Sequence, residues 1–125
     1  MRDPAAAADP ECPVLATARI VAGKWTLLVL RDLAGGARRF SELERSLAGI
    51  SPRTLSQRLR ALEEEGILDR RVYGEVPPRV DYRLTPKGRD LVPLVQAMRE
   101  YGARWLRTDC EEQRQPAALG AAGGD

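Results

Sequence analysis

Apolar residues recur along this chain with two periods, a helical one in most segments and a strand one in a single region. The clearest helical segment is 51–66, with the sequence SPRTLSQRLRALEEEG. Ser51 suits an N-cap, Pro52 suits the first helical position, and Gly66 suits a left-handed C-terminal cap. The segment is therefore predicted to form a helix of about four turns.

The two faces of this helix differ in chemistry. At about 100° per residue, Leu55, Leu59 and Leu62 share one narrow arc and are expected to face a core. The opposite arc and its flanks carry guanidinium, amide and hydroxyl groups. Such a face is either an ordinary solvated surface or one that contacts base edges in a DNA major groove. On the second interpretation, the base-reading residues are Arg53, Thr54, Ser56, Gln57 and Arg60.

Two helices are predicted near the N-terminus. The first begins at Pro13, which suits a first helical position, and ends near Ala22. The second covers 24–33 and is apolar nearly all round, which is typical of a buried central helix. Trp25 is expected to belong to the core. Lys24 is expected to be solvated, with contact to a DNA phosphate as the alternative.

A short helix is predicted directly before the long one. Residues 38–40 suit a very short strand, and Ser41 and Glu44 have the spacing of a capping box, in which each side chain bonds to the other's amide. This helix is expected to end near Leu47 and to be followed by a tight turn over 48–50. Short helix, turn and long helix together predict a helix-turn-helix.

A β-hairpin is predicted after Gly66. Residues 67–73 and 79–84 have strand composition, and apolar and polar residues alternate in the second of them. Residues 74–78 form a tip that two prolines stiffen. Several arginines make the hairpin cationic, although neighbouring acids offset most of that charge. Arg79, beside the tip, is the strongest candidate for a contact with the DNA backbone.

The last predicted helix opens at Thr85 and Pro86, which repeat the signal of a cap followed by proline. Its apolar residues form a stripe about four turns long, too large for one edge of a small domain. The stripe is expected to meet its twin in a dimer, the alternative being that it only closes the monomer's own core. Its members are Leu91, Leu94, Val95, Met98, Tyr101 and Trp105.

Charge is distributed unevenly along the 125 residues. The net charge is +2, but residues 1–11 hold one base and three acids and residues 108–125 hold one base and four acids, so the middle of the chain carries +7. A basic domain suggests a polyanionic partner. Residues 1–11 are predicted to be a disordered arm, 12–107 one folded domain, and 108–125 a disordered acidic tail.

The composition argues against most enzymes. The chain has no histidine and two cysteines, which excludes histidine-based catalysis and nearly all zinc sites. No nucleophile relay, phosphate loop or metal-ligand set is present, so neither an enzymatic activity nor a cofactor is expected. There is no signal peptide and no long apolar run, and the protein is expected to be cytoplasmic, without a membrane partner.

The elements together predict a mainly α fold with a small β-hairpin wing, a winged helix-turn-helix. The motifs strengthen this interpretation, because the chain resembles the HxlR family of bacterial transcriptional regulators. The resemblance covers about residues 12 to 106. It rests above all on Cys12-Pro13-Val14, Gly23-Lys24-Trp25-Thr26, Arg39-Phe40-Ser41-Glu42-Leu43, Ile50-Ser51-Pro52-Arg53-Thr54-Leu55, Val76-Pro77-Pro78-Arg79-Val80 and Leu84-Thr85-Pro86-Lys87-Gly88.

The resemblance implies a homodimer on double-stranded DNA, with its N- and C-terminal helices at the interface and both long helices reading an inverted repeat. The interface residues are then Val14, Leu94, Met98, Tyr101 and Trp105. Contacts to the DNA backbone are assigned to Lys24, Arg39, Ser51 and Arg79.

Cys12 is the one candidate for reactive chemistry. A helix N-terminus favours thiolate over thiol, whereas adjacent Glu11 opposes it, and a single cysteine is more often a small buried apolar residue. The family resemblance implies a sensor at this position, which an oxidant or electrophile would modify. Cys110 could bridge to the partner's Cys12, but it matches no family pattern, and its placement is interpreted as incidental.

Two other functions remain open at this stage. One is a winged helix that responds to a small apolar effector at the dimer interface. The other is a protein-interaction module without useful DNA affinity. Salt separates the second from a DNA-binding protein, because neutralising about six phosphates gives a steep log-log slope near −5.

Overall fold

The computed structural model describes residues 11–106 and places six helices and three strands there. The predicted arm, apart from Glu11, and the predicted acidic tail lie outside these residues. The helices are α1 Pro13–Ile20, α2 Lys24–Leu33, α3 Phe40–Ser46, α4 Pro52–Glu64, α5 Pro86–Arg89 and α6 Val92–Trp105. The strands are β1 Arg38–Arg39, β2 Leu68–Tyr73 and β3 Arg79–Leu84.

The mainly α fold with a β-hairpin wing is confirmed, and the hairpin gains a third strand. Strands β2 and β3 pair antiparallel, with Tyr73 opposite Arg79 and Leu68 opposite Leu84. Strand β1 lies on the other side of β3, where Arg38 pairs with Tyr82. The wing is thus anchored to the chain segment that leads directly into α3.

Helix α4 has the ends and the buried face that its sequence predicts. The Ser51 hydroxyl accepts a hydrogen bond from the Thr54 amide at 3.0 Å, Pro52 occupies the first turn, and Gly66 has a φ of 78°. Glycine adopts such a left-handed conformation without the steric cost that a side chain adds. Its three leucines are fully buried among residues from α2, α3 and β2: Leu55, Leu59 and Leu62.

The predicted cap of α3 is wrong. The helix begins at Phe40, not after Ser41, and the Glu42 carboxylate accepts a hydrogen bond from the Arg39 amide at 2.8 Å. Glu44 therefore lies in the helix rather than in its cap. The physical reason is that Arg39 still pairs with Asp81 in the sheet, so the chain leaves the strand and enters the helix within one residue.

Helix α2 is the central element of the core, as predicted. Val29, Leu30 and Leu33 are buried, and Trp25 packs against the core while the Lys24 ammonium lies 4.6 Å from its ring centroid. Within residues 11–106 no single helix has the length and apolar character to cross a membrane. Helices α1 and α2 have that length and apolar character only when they are taken together, and the two helices are bent by 83° relative to each other.

The single last helix predicted from Thr85 is in fact two. Helix α5 ends at Arg89, and α6 starts at Val92 after Leu91. The apolar stripe is accordingly divided: Val95 is buried and Leu91 packs on the core, so these two close the monomer. The other members stay on the surface.

Candidate nucleic-acid interface

Helix α4 presents one exposed polar face on the side away from the core. Arg53, Ser56, Gln57 and Arg60 are exposed, and Thr54 is half-buried. All five candidate base-reading residues therefore belong to one helix whose opposite face is fixed by buried leucines. A rigid helix with long donor side chains on its outer face has the shape and chemistry that a DNA major groove admits.

The Ser51 hydroxyl has two bonds inside the helix cap. It accepts from the Thr54 amide and donates to the Thr54 hydroxyl at 2.9 Å. These bonds fix the first turn of α4, from which Arg53 projects. A backbone contact from Ser51 remains a prediction, and its present role is to orient this turn.

Arg79, the main candidate cation of the wing, is held in place by three neighbouring side chains. The Arg79 guanidinium lies 4.3 Å from the Tyr73 ring centroid, 3.9 Å from the Glu75 carboxylate and 3.7 Å from that of Asp81. Tyr73 raises the pKa of Arg79, and the two carboxylates add to the effect. Arg79 is therefore always charged, and its neighbours hold its side chain beside the tip.

Two further candidates for a contact with the DNA backbone are exposed on other elements. Arg39 is exposed at the junction of β1 and α3, and Lys24 is exposed at the start of α2. Successive side chains of a strand point to opposite sides. Half-buried Arg38 leaves the strand on the side opposite to Arg39, and its guanidinium donates to the Ala37 carbonyl at 3.0 Å. Contact of Arg39 and Lys24 with phosphates remains a prediction.

Cys12 lies at the N-terminus of α1, where its carbonyl accepts a hydrogen bond from the Ala16 amide at 2.9 Å. Its side chain is exposed and forms no disulfide within residues 11–106. The Glu11 carboxylate, which sequence reasoning set against thiolate formation, is 2.5 Å from the Arg19 guanidinium. The arrangement makes the sulfur accessible to reagents. Cys110 lies outside the described residues.

An apolar surface covers one side of α6. Met98 is 48% exposed, Tyr101 62% and Trp105 69%, while Leu94 is at the margin with 37%. Val14 on α1 is also exposed. An apolar surface of this kind is typical of a contact site, and the assignment of these residues to a dimer interface remains a prediction.

Known proteins place this architecture in a family. A sequence model described as HxlR-like helix-turn-helix matches residues 20–110. The chain belongs to this family. An uncharacterised HTH-type transcriptional regulator of Synechocystis is 46% identical over 101 residues, covering 80% of this chain and 75% of the relative.

Two solved structures resemble this HxlR-like chain. The redox regulator HypR in its oxidised form is 43% identical with a TM-score of 0.70, over 73% of this chain and 94% of HypR. Diamide-treated YodB from Bacillus subtilis is 31% identical with a TM-score of 0.64, over 80% of this chain and 100% of YodB. The chain is thus a DNA-binding transcriptional regulator with a winged helix-turn-helix.

Sequence reasoning missed the surroundings of Arg79 in this HxlR-like wing. A five-residue tip between two antiparallel strands places Tyr73 directly opposite Arg79. The contact could therefore have been predicted from the length of the tip. It also missed the contacts between α5 and the end of α4, in which the Lys87 ammonium donates to the Glu65 carbonyl at 2.7 Å. That contact spans 22 residues of chain and has no local sequence signal.

Proposed function

We propose that the protein is a cytoplasmic homodimer that binds an inverted repeat in DNA through its two α4 helices. The observation that carries this proposal is the exposed face of α4, where four long or hydroxylated polar side chains lie opposite three buried leucines. The wing lies next in the chain and presents Arg79 beside it. A helix in the major groove and a hairpin over the flanking backbone then bind together.

The proposed contacts divide into two groups. Arg53, Thr54, Ser56, Gln57 and Arg60 read base edges, since guanidinium and amide groups pair with bases in the major groove. Lys24, Arg39, Ser51 and Arg79 contact phosphates and sugars and set the position of the protein on the duplex. Only the first group is expected to determine sequence preference.

The apolar surface of α6, together with Val14 of α1, supports the homodimer. A two-fold axis at this surface pairs Leu94, Met98, Tyr101 and Trp105 with their copies. Reading successive major grooves on one side of DNA requires the two α4 helices to lie about 34 Å apart. The inverted repeat follows from that symmetry.

Gln57→Ala and Arg79→Ala are expected to separate the two groups of contacts. Fluorescence anisotropy is measured on a duplex selected from random DNA for tight binding and on a random duplex of equal length. Gln57→Ala weakens binding to the selected site by roughly 1 to 3 kcal/mol and spares random DNA, whereas Arg79→Ala weakens both. Arg45→Ala, another exposed arginine, serves as the control.

If Gln57→Ala lowers the affinity for both duplexes equally, Gln57 does not read bases. If no duplex is selected and affinity does not depend on salt, the protein is an interaction module instead of a DNA-binding one.

We also propose that modification of Cys12 switches DNA binding. Support comes from the exposed thiol at the start of α1 and from the likeness to HypR, which is named as a redox regulator. Because α1 contributes Val14 to the proposed interface, modification of Cys12 alters the spacing of the two α4 helices. Diamide takes up two hydrogen atoms as two thiols join, so the second thiol is the partner's Cys12 or Cys110.

Cys12→Ser is expected to abolish the response to diamide. Treated wild-type protein loses affinity for the selected duplex by about tenfold or more, whereas treated Cys12→Ser protein binds as before. Cys110→Ser identifies the second thiol: the variant loses the response to diamide if Cys110 supplies that thiol and keeps it if the partner's Cys12 does. If treated wild-type protein keeps its affinity, Cys12 is not a diamide switch, and a small apolar effector at the dimer interface becomes the better hypothesis.

A further inference from the structure

A cavity of about 580 Å³ lies where α2, β3, α5 and α6 meet. We call it the junction pocket. Its volume is within the range of small-molecule sites, about 300 to 1,000 Å³. Its apolar walls include Leu33 at the end of α2, Leu84 at the end of β3, and Val92 and Pro93 at the start of α6. Its polar side groups are Arg83 and Arg89.

No acidic side chain of residues 11–106 is paired with either arginine of the junction pocket. Within residues 11–106, neither guanidinium lies within 4.0 Å of a carboxylate, although Asp69 is opposite Arg83 in the sheet. One Nη of Arg83 donates to the Tyr73 hydroxyl at 3.2 Å, whereas its buried Nε has no hydrogen-bond acceptor among the described residues. A buried donor of this kind is costly, and an acceptor that reached it would be bound strongly.

We propose that the junction pocket binds a small apolar carboxylate, such as an aromatic or short aliphatic acid. The carboxylate lies between Arg83 and Arg89, because a guanidinium pairs with a carboxylate through two parallel hydrogen bonds. The apolar body packs against Leu33, Leu84 and Val92. A neutral molecule of the same shape leaves both positive charges without a counter-ion and binds less well.

The junction pocket is separate from the proposed dimer surface. At about 100° per residue, Val92 and Pro93 lie roughly opposite the stripe formed by Met98, Tyr101 and Trp105 around α6. A molecule in the junction pocket therefore does not compete with subunit contact. The site also differs from one for an effector held between two subunits.

Helix α5 connects the junction pocket to α4. Arg89 ends α5, and Thr85 and Lys87 of the same turn are hydrogen-bonded to residues 65–67, which directly follow α4. The Thr85 hydroxyl donates to the Gly66 carbonyl at 2.5 Å, the Thr85 amide donates to the Ile67 carbonyl at 3.0 Å, and Lys87 donates to the Glu65 carbonyl. A carboxylate that draws Arg89 towards Arg83 is expected to shift α5, and the hydrogen bonds of Thr85 and Lys87 would transmit that shift to the end of α4.

Titration of the full chain with benzoate, and with benzamide as its neutral counterpart, tests the junction pocket. Calorimetry measures affinity, and NMR amide shifts locate the site. Benzoate is expected to shift the amides of Ala37, Leu84 and Val92, and to bind about tenfold or more tightly than benzamide. Arg83→Gln and Arg89→Gln each weaken benzoate binding by a similar factor, and Arg45→Gln on the surface of α3 leaves it unchanged.

Three results overturn this inference: equal affinity for benzoate and benzamide, shifts centred away from the junction pocket, or undiminished binding to Arg89→Gln. Arg89 is exposed, so its variant retains the fold and decides the matter even if half-buried Arg83 does not tolerate replacement. Benzoate binding is measured without DNA. Its outcome is therefore independent of whether the protein reads an inverted repeat.

Discussion

Gly88→Ala is expected to destabilise the protein by about 3 kcal/mol, the upper range for forcing an extra methyl group into a packed site. A Cβ at Gly88 would stand 2.0 Å from the Ile67 carbonyl oxygen and 3.0 Å from its carbonyl carbon. Both are backbone atoms, so relief requires α5 to move away from the end of α4. That movement breaks the hydrogen bonds of Thr85 and Lys87 to the carbonyls of residues 65–67.

Urea unfolding followed by circular dichroism, at one protein concentration, measures this loss. Gly102→Ala is the matched control, because nothing lies within 4 Å of a Cβ at that helical glycine. Alanine has the higher helix propensity, so the control is expected to gain about 0.5 to 1 kcal/mol or to remain unchanged. Identical unfolding midpoints for Gly88→Ala and the wild type would show that α5 is not held as closely as the structure indicates.

Met98→Glu is expected to convert the proposed dimer into monomers and to lower affinity for an inverted repeat by about 100-fold. Met98 is 48% exposed, so the monomer accommodates glutamate, whereas a two-fold interface would bury two facing carboxylates. In a dimer, binding of one subunit to its half-site raises the effective concentration of the second subunit at the other half-site. Loss of the dimer removes this gain, which is worth about 10² to 10⁴ in affinity. Binding to a single half-site is expected to persist at its own weaker level.

Light scattering after size-exclusion chromatography gives the mass, and anisotropy on full-site and half-site duplexes gives the affinities. Gln96→Glu is the control, because it adds the same charge to an exposed position about 160° away around α6. A Met98→Glu protein that remains dimeric would locate the subunit interface elsewhere. A monomer that keeps full affinity for the inverted repeat would show that dimerisation does not contribute to DNA binding.

Local rules were sufficient for α4 and for the wing. The cap at Ser51, the proline after it and the leucine spacing all act within a few residues, so each is visible in the sequence and each is present in the structure. The same holds for the hairpin, whose strands and tip follow from alternation and from two prolines. Agreement among several local signals is what makes such segments predictable.

Local rules failed where a distant strand set the geometry. Ser41 and Glu44 match a capping box, yet α3 starts at Phe40 because Arg39 is paired with β3, more than forty residues away in the chain. The division of the last helix has a similar cause. Gly88 packs directly on the Ile67 carbonyl, and a new helix begins at Val92 with Pro93 in its first turn.

The sequence by itself determined the helix-turn-helix and the hairpin after it, the buried leucines of α4 and the polar face opposite them, because hydrophobic period and capping act locally. Only the tertiary structure decided which apolar residues of the last segment remain exposed, since Val95 is covered by the core and Met98 is not. It alone joined α5 to the residues that follow α4 and brought Arg83 and Arg89 to the lining of one pocket. These arrangements depend on segments far apart in the chain, and their geometry is fixed only when the core packs.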